Sequence, residues 1–179
     1  MIFCLSIMAY AQTPQDRATE LKKQAQSSLN QKDYIKARYL FKKAYEAFAS
    51  RENYPQAIEC GVQANALYVR ENFYKEGFEL CRDMEQLLWT GEQNKKKVFY
   101  DLRFLINKER LQMYTALKNP AQAKIQLDKL EEMANLAKND SLTEVLLYTK
   151  ANYYYTFNQS TQGDACFRKL INQIGRAHV

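Results

Sequence analysis

A pattern of four residues recurs four times along the chain, and it constrains the fold more than any other feature. In the segment 32–47 (KDYIKARYLFKKAYEA), Tyr34, Ala37, Phe41 and Ala44 are spaced to share one face of a helix. The second position is always Ala or Gly, and the third is always apolar. The other copies are Tyr74/Gly77/Cys81/Met84, Pro120/Ala123/Leu127/Leu130 and Ser160/Gly163/Phe167/Leu170. Spacings of 40, 46 and 40 residues between the copies predict a repeat protein.

A second helix precedes each of these segments. Its aromatic marker is Tyr68, Tyr114 and Tyr154 in the last three units, whereas Ser28 takes that position in the first. Only five glycines and three prolines occur in 179 residues, which favours an all-α chain. We therefore predict eight helices, at 15–30, 34–50, 54–70, 74–90, 96–117, 121–138, 141–158 and 161–173.

Residues that favour helix starts lie near these boundaries. Asp33, Asn119 and Asp140 are predicted caps, because their side chains can accept hydrogen bonds from the first free N–H groups. Pro55 and Pro120 fit the first helical turn, where a missing N–H breaks no hydrogen bond.

The pattern resembles that of the tetratricopeptide repeat family, whose units are helix-turn-helix hairpins. The match covers nearly all of 17–173 and is best where Y-x-x-A-x-x-x-F-x-x-A runs from Tyr34 to Ala44. The family's closing proline is absent, and the period exceeds its usual length of about 34. At the position where the first helices of the family carry glycine, this chain has Ala25, Asn65, Leu111 and Ala151. The resemblance implies a right-handed superhelix of about four stacked hairpins, whose first helices line a concave groove.

Ten polar residues of the first helices are the candidate lining of this groove. Amides, tyrosines and cations on a rigid surface suit an extended peptide that carries acidic groups. An ordinary solvated helix face is the alternative. In NYYYTF, at 152–157, Tyr154 is expected in the core, Tyr155 in the groove and Tyr153 against a neighbouring hairpin. The ten candidates are Lys22, Lys23, Gln26, Gln63, Arg70, Lys108, Gln112, Tyr148, Asn152 and Tyr155.

Both ends of the chain indicate segments outside the repeat domain, which we place at 12–173. Residues 1–11 are apolar and end in Ala9-Tyr10-Ala11, which predicts a clipped signal peptide and export to the periplasm. An apolar helical turn tucked into the core is the alternative. Residues 174–179 (IGRAHV) resemble the translation of a sequencing adaptor, which would make His178 non-native. Alternatively, Gly175 caps the last helix and the tail is genuine.

The sequence gives little support for an enzymatic function. Without His178 no Ser/His or Cys/His arrangement can form, and no glycine-rich phosphate loop is present. Cys60, Cys81 and Cys166 lie on apolar helix faces and are expected as buried free thiols. No cysteine or histidine spacing suggests a metal. We expect no catalytic, cofactor or metal-binding residues in this segment.

The sequence therefore favours a non-catalytic scaffold that binds a protein or peptide in its groove. By resemblance to exported Bacteroidetes-type members of the family, we expect it to be the periplasmic sensory part of a larger signalling protein, with any membrane tether after 173. A nucleic-acid-binding repeat protein and an undetected enzyme are the alternatives. Nucleic acid is not expected as a partner, because the net charge of +6 is scattered among acidic residues.

Overall fold

The computed structural model of the chain describes residues 14–177, most of which lie in α-helices. The predicted signal peptide at 1–11 and His178 lie outside this range. Within it there are eight helices and no strand, so the predicted all-α class is confirmed. The helices are α1 Pro14–Asn30, α2 Tyr34–Ala49, α3 Tyr54–Arg70, α4 Tyr74–Lys95, α5 Tyr100–Ala116, α6 Pro120–Ala137, α7 Asp140–Thr156 and α8 Ser160–Ala177.

Three of the four helix starts for which the sequence predicts a signal follow it. Asp33 and Asn119 accept hydrogen bonds from the backbone N–H groups of Lys36 and Gln122, and the two prolines lie in first turns. The prediction for Asp140 is wrong. The cap is Asn139, whose side chain accepts from the N–H of Ser141, and Asp140 is already helical.

Two helix ends differ from the prediction. α4 continues to Lys95, and Gly91 and Glu92 in its last turns are buried. α5 therefore starts at Tyr100, four residues later than expected. α8 continues to Ala177, past both the predicted end at 173 and Gly175, so that glycine does not end the helix.

The four hairpins share one turn. The turns at 31–33, 71–73, 117–119 and 157–159 each have three residues, and the central residue has a left-handed backbone with φ between 53° and 62°. In each turn the third residue donates its N–H to the carbonyl five residues earlier, at 2.8–2.9 Å. The acceptors are the carbonyls of the marker column, Ser28, Tyr68, Tyr114 and Tyr154. The repeated sequence pattern thus corresponds to a repeated turn geometry between the two helices of each hairpin.

The uneven period has its origin in a single helix. The first helices α1, α3, α5 and α7 have 17 residues each, whereas α2 has 16 and α4 has 22. The six additional residues of α4 account for the one spacing of 46 instead of 40.

All four residues of the small-residue column are buried, and one of them lies at a contact between hairpins. Ala37 and Ala123 are fully buried, and Gly77 and Gly163 are buried as well. A Cβ at Gly77 would lie 2.7 Å from Sδ of Met113 on α5, so this glycine lets two helices of different hairpins approach closely. Consecutive helices contact each other throughout, and α3 also contacts α5, as α5 contacts α7. The result is an architecture that resembles a helical repeat.

Lys32 offers a test of the shared turn. A left-handed backbone is unfavourable for a residue with a Cβ, and Lys32 is exposed with φ 62°. We expect Lys32→Gly to raise the free energy of unfolding by about 0.5–1 kcal/mol in urea titrations. The control is Lys129→Gly at an exposed position inside α6, which should lower it by about 1 kcal/mol. Equal destabilisation by both substitutions would contradict the turn geometry.

Candidate ligand groove

An open cavity of about 460 Å³ lies between α5 and α7, the first helices of the third and fourth hairpins. We call it the α5–α7 groove. Its lining from α5 and the turn that follows is Lys108, Leu111, Gln112, Thr115, Ala116 and Lys118; from α7 it is Val145, Tyr148, Thr149, Asn152, Tyr153 and Thr156.

The groove has an apolar floor and a polar rim. Leu111 and Tyr153 are almost completely buried, and Val145 and Tyr148 are exposed. The amides of Gln112 and Asn152 lie on exposed residues. An apolar floor with a few polar groups around it is the usual composition of a ligand site.

The charges of the lining residues are all positive. Lys108 donates to a carboxylate oxygen of Glu109 at 3.2 Å, and Glu109 is only 1 % exposed. The other oxygen of Glu109 accepts from the amide of Asn65 on α3 at 3.1 Å. Lys118, at the far end, makes no ion pair within residues 17–174. No carboxylate lines the groove, and Lys118 leaves it one positive charge that Glu109 does not balance, so its field favours an anionic ligand.

The start of α5 is held by a carboxylate from the preceding helix. Phe99 is the N-cap residue of α5, and its side chain makes no capping hydrogen bond. Glu92 instead anchors this end of the helix, since it accepts from the N–H of Phe99 at 2.9 Å and from Nε of Arg103 at 2.8 Å. The pair with Arg103 holds the pKa of the Glu92 carboxyl below its usual value. α5, which carries half of the groove, is thereby fixed to α4.

Four of the ten predicted groove residues line this cavity: Lys108, Gln112, Tyr148 and Asn152. Tyr155 does not. Its hydroxyl donates to Asp164 and its ring lies 5.8 Å from that of Phe167, so the side chain is held against α8. A Cβ at Gly163 would meet the Tyr155 ring at 2.9 Å, so the glycine leaves space for it.

The five candidates on α1 and α3 also lie outside the α5–α7 groove. Lys22 binds Gln56 and Glu59 of α3, at 2.9 and 2.7 Å. Gln26 donates to Asn30 on its own helix, and the guanidinium of Arg70 lies 4.0 Å from the ring centre of Tyr34. The remaining two, Lys23 and Gln63, are exposed.

Tyr153 packs against the neighbouring hairpin, as expected. It is buried in a cluster with Phe104, Leu111 and Leu127 and forms part of the groove floor. The tyrosine run differs from the expectation in one further respect. Tyr154, expected in the core, is half-buried and contacts the ring of Tyr153 edge-on at 5.3 Å.

The groove residues that the sequence prediction missed follow a helical signal. On α7, the missed residues Val145, Thr149 and Thr156 share one face with the predicted Asn152, at successive spacings of four, three and four residues. The prediction selected amides, tyrosines and cations, and so passed over threonines and the apolar floor. A count of all residues on the face, whatever their type, would have found them.

The three described cysteines are buried free thiols, as predicted. Burial raises the pKa of Cys60 and of Cys81 to about 12, so neither thiol forms a nucleophilic thiolate near neutral pH. Across the described part of the chain, no group of three or more His, Cys, Asp or Glu residues could hold a metal ion. Nor does any described helix have the length and apolar character needed to cross a membrane.

Comparisons with known proteins do not assign the chain to a family. The sequence matches no family model, and a search of curated proteins finds no match. The resemblance to tetratricopeptide repeats therefore stays a prediction.

Replacing Glu92 tests what fixes α5. Because the folded pKa of Glu92 is lowered, its ionised form stabilises the fold above the unfolded pKa of about 4.3, and this stability is lost as the pH falls through the folded pKa. We expect Glu92→Gln to lower the free energy of unfolding at pH 7 by about 1–3 kcal/mol. Urea titrations should show this difference shrinking below about pH 4. A difference independent of pH would contradict the charge-based role.

Proposed function

We propose that the chain is a non-catalytic scaffold that holds an acidic peptide segment of a partner in the α5–α7 groove. The observation that carries the proposal is the groove's lining. It has an apolar floor, amides on both sides, lysines as its only charged residues and no carboxylate. Such a surface pairs carboxylates with lysine ammonium groups and a peptide backbone with side-chain amides.

The separation of the two lysines sets the scale of the ligand. Lys108 lies on α5 and Lys118 in the turn that follows it, and the helical residues from Lys108 to Ala116 alone span about 12 Å of helix axis. An extended peptide covers this length in about four residues. The proposed ligand therefore carries two acidic groups about four residues apart, with an apolar side chain between them that meets Leu111 and Tyr153.

The repeat architecture supports a binding role. We propose that the hairpins stack into a right-handed superhelix whose first helices form the concave side. Identical turns in all four hairpins and the contacts of α3 with α5 and of α5 with α7 support this arrangement. Export, and a place in a periplasmic signalling protein, extend the proposal; they rest on the sequence alone.

A fluorescence titration with terminally blocked acidic peptides tests the groove. The peptides carry two glutamates, four residues apart, around a central Leu, Phe or Tyr. We expect Lys118→Gln to weaken binding about fivefold, the loss of about 1 kcal/mol for one exposed ion pair. Gln112→Glu should weaken it further through like-charge repulsion. Lys129→Gln, on an exposed lysine of α6 outside the groove, is the control and should change nothing.

Two results would overturn the proposal. One is peptide binding that is equal in all four proteins. The other is tight binding of a single-stranded oligonucleotide that falls steeply with salt, which would favour the nucleic-acid alternative.

A further inference from the structure

A second recess, of about 400 Å³, lies along the exposed side of α2, where Tyr68 of α3 completes its lining. We call it the α2 recess. It shares no residue with the α5–α7 groove. Its lining is Ile35, Arg38, Tyr39, Lys42, Lys43, Glu46 and Tyr68.

Two large apolar side chains of the recess are open to solvent. Ile35 is 69 % exposed and Tyr39 is 61 % exposed. They are four residues apart on α2 and so stand one above the other on the same face. Because both side chains are mostly open to solvent, core packing within the chain does not account for their apolar character.

The other hairpins show that the packing does not require apolar residues there. The repeat register assigns two equivalent positions to each second helix, and all of them are exposed. They hold Lys75 and Glu79 in α4, Ala121 and Ile125 in α6, and Thr161 and Ala165 in α8. Only α2 carries two large apolar residues at these positions.

One cation of the recess is held rigidly. Arg38 pairs with Glu71, and its guanidinium lies 4.8 Å from the ring centre of Tyr68 and 5.1 Å from that of Phe73. A planar guanidinium fixed on aromatic rings loses little freedom when it meets a carboxylate.

Three lysines add positive charge at the recess, and two of them have no ion-pair partner in the described part of the chain. Lys43 pairs with Glu46 at 2.8 Å, whereas Lys42, and Lys36 beside Ile35, make no ion pair in the described part of the chain. All three lysines are exposed. Apolar and basic groups thus lie together, which is the complement of an acidic segment that contains an apolar side chain.

The shape of this surface favours a peptide over a membrane. A bilayer surface is engaged by side chains that project into it. Here Ile35 and Tyr39 border a concavity with Tyr68 among its lining residues, so a projecting side chain of the partner fits between them.

We propose that the α2 recess is a docking site for a short acidic segment of a partner protein. One apolar side chain of the segment lies against Ile35 and Tyr39, and its carboxylates meet Arg38 and Lys42. The site is independent of the α5–α7 groove, and either can exist without the other.

The test uses the full chain, labelled with ¹⁵N, and the blocked peptide Glu-Asp-Leu-Phe-Asp-Glu. Two matched peptides replace its acids by lysines or its Leu-Phe by Ser-Ser. We expect the acidic apolar peptide to shift the amide signals around Ile35, Tyr39 and Lys42, and the matched peptides to leave them unchanged. Ile35→Glu combined with Tyr39→Glu should weaken this binding at least about tenfold. Both sites are exposed, so circular dichroism should show an unchanged fold.

Two control variants distinguish binding in the α2 recess from binding elsewhere on the chain. Ile125→Glu changes the position in α6 that corresponds to Tyr39 and should leave the binding intact. Lys118→Gln in the α5–α7 groove should leave it intact as well, so failure of the groove proposal does not affect the result. The proposal is wrong if millimolar peptide shifts no signals on α2 or shifts only those of the groove. It is also wrong if the doubly substituted variant binds as well as the wild type, or if phosphatidylglycerol vesicles bind this face while the peptide does not.

Discussion

The close approach of helices through residues with little or no side chain is the interaction on which the rest of the structure depends. Gly77 of α4 has no space for a Cβ beside Met113 of α5, and Gly91 has none beside the ring of Tyr54, at 2.5 Å. Ala37 and Ala123 are fully buried in equivalent positions. In an interior packed as densely as a crystal, such contacts cannot be loosened without opening voids. Small residues therefore allow close packing both between hairpins, at Gly77, and within a hairpin, at Gly91.

This packing determines which faces of the helices are available for binding. α5 and α7 lie side by side, so stripes of residues at helical spacing on the two helices border one groove. The second helices turn their opposite faces to solvent, which leaves α2 free to carry Ile35 and Tyr39. The repeat thus supplies a rigid frame, and the residues at exposed positions of individual units give each surface its chemistry.

Helical spacing in the sequence predicts the fold well, because the apolar periodicity and the hairpin turns are local properties. The extension of α4 was not predictable in the same way. From the sequence alone, Gly91 and Glu92 indicate the end of a helix. In the structure both are buried, because Tyr54 and Arg103, which are distant in the sequence, contact them. The same limit applies to the groove. Lys22 has the right type and spacing, but Glu59 on the next hairpin binds it. Residues whose surroundings come from another hairpin cannot be assigned from their own helix.

The most direct measurement compares the same substitution at two alanines of α6. Ala123 occupies the small-residue column and is fully buried, whereas Ala121, two residues earlier, is exposed. If close contact in this column holds the hairpins together, Ala123→Leu lowers the free energy of unfolding in urea by about 1–3 kcal/mol or more. Ala121→Leu changes it by no more than about 0.5 kcal/mol. Equal tolerance of leucine at both positions would contradict this role of the small-residue column.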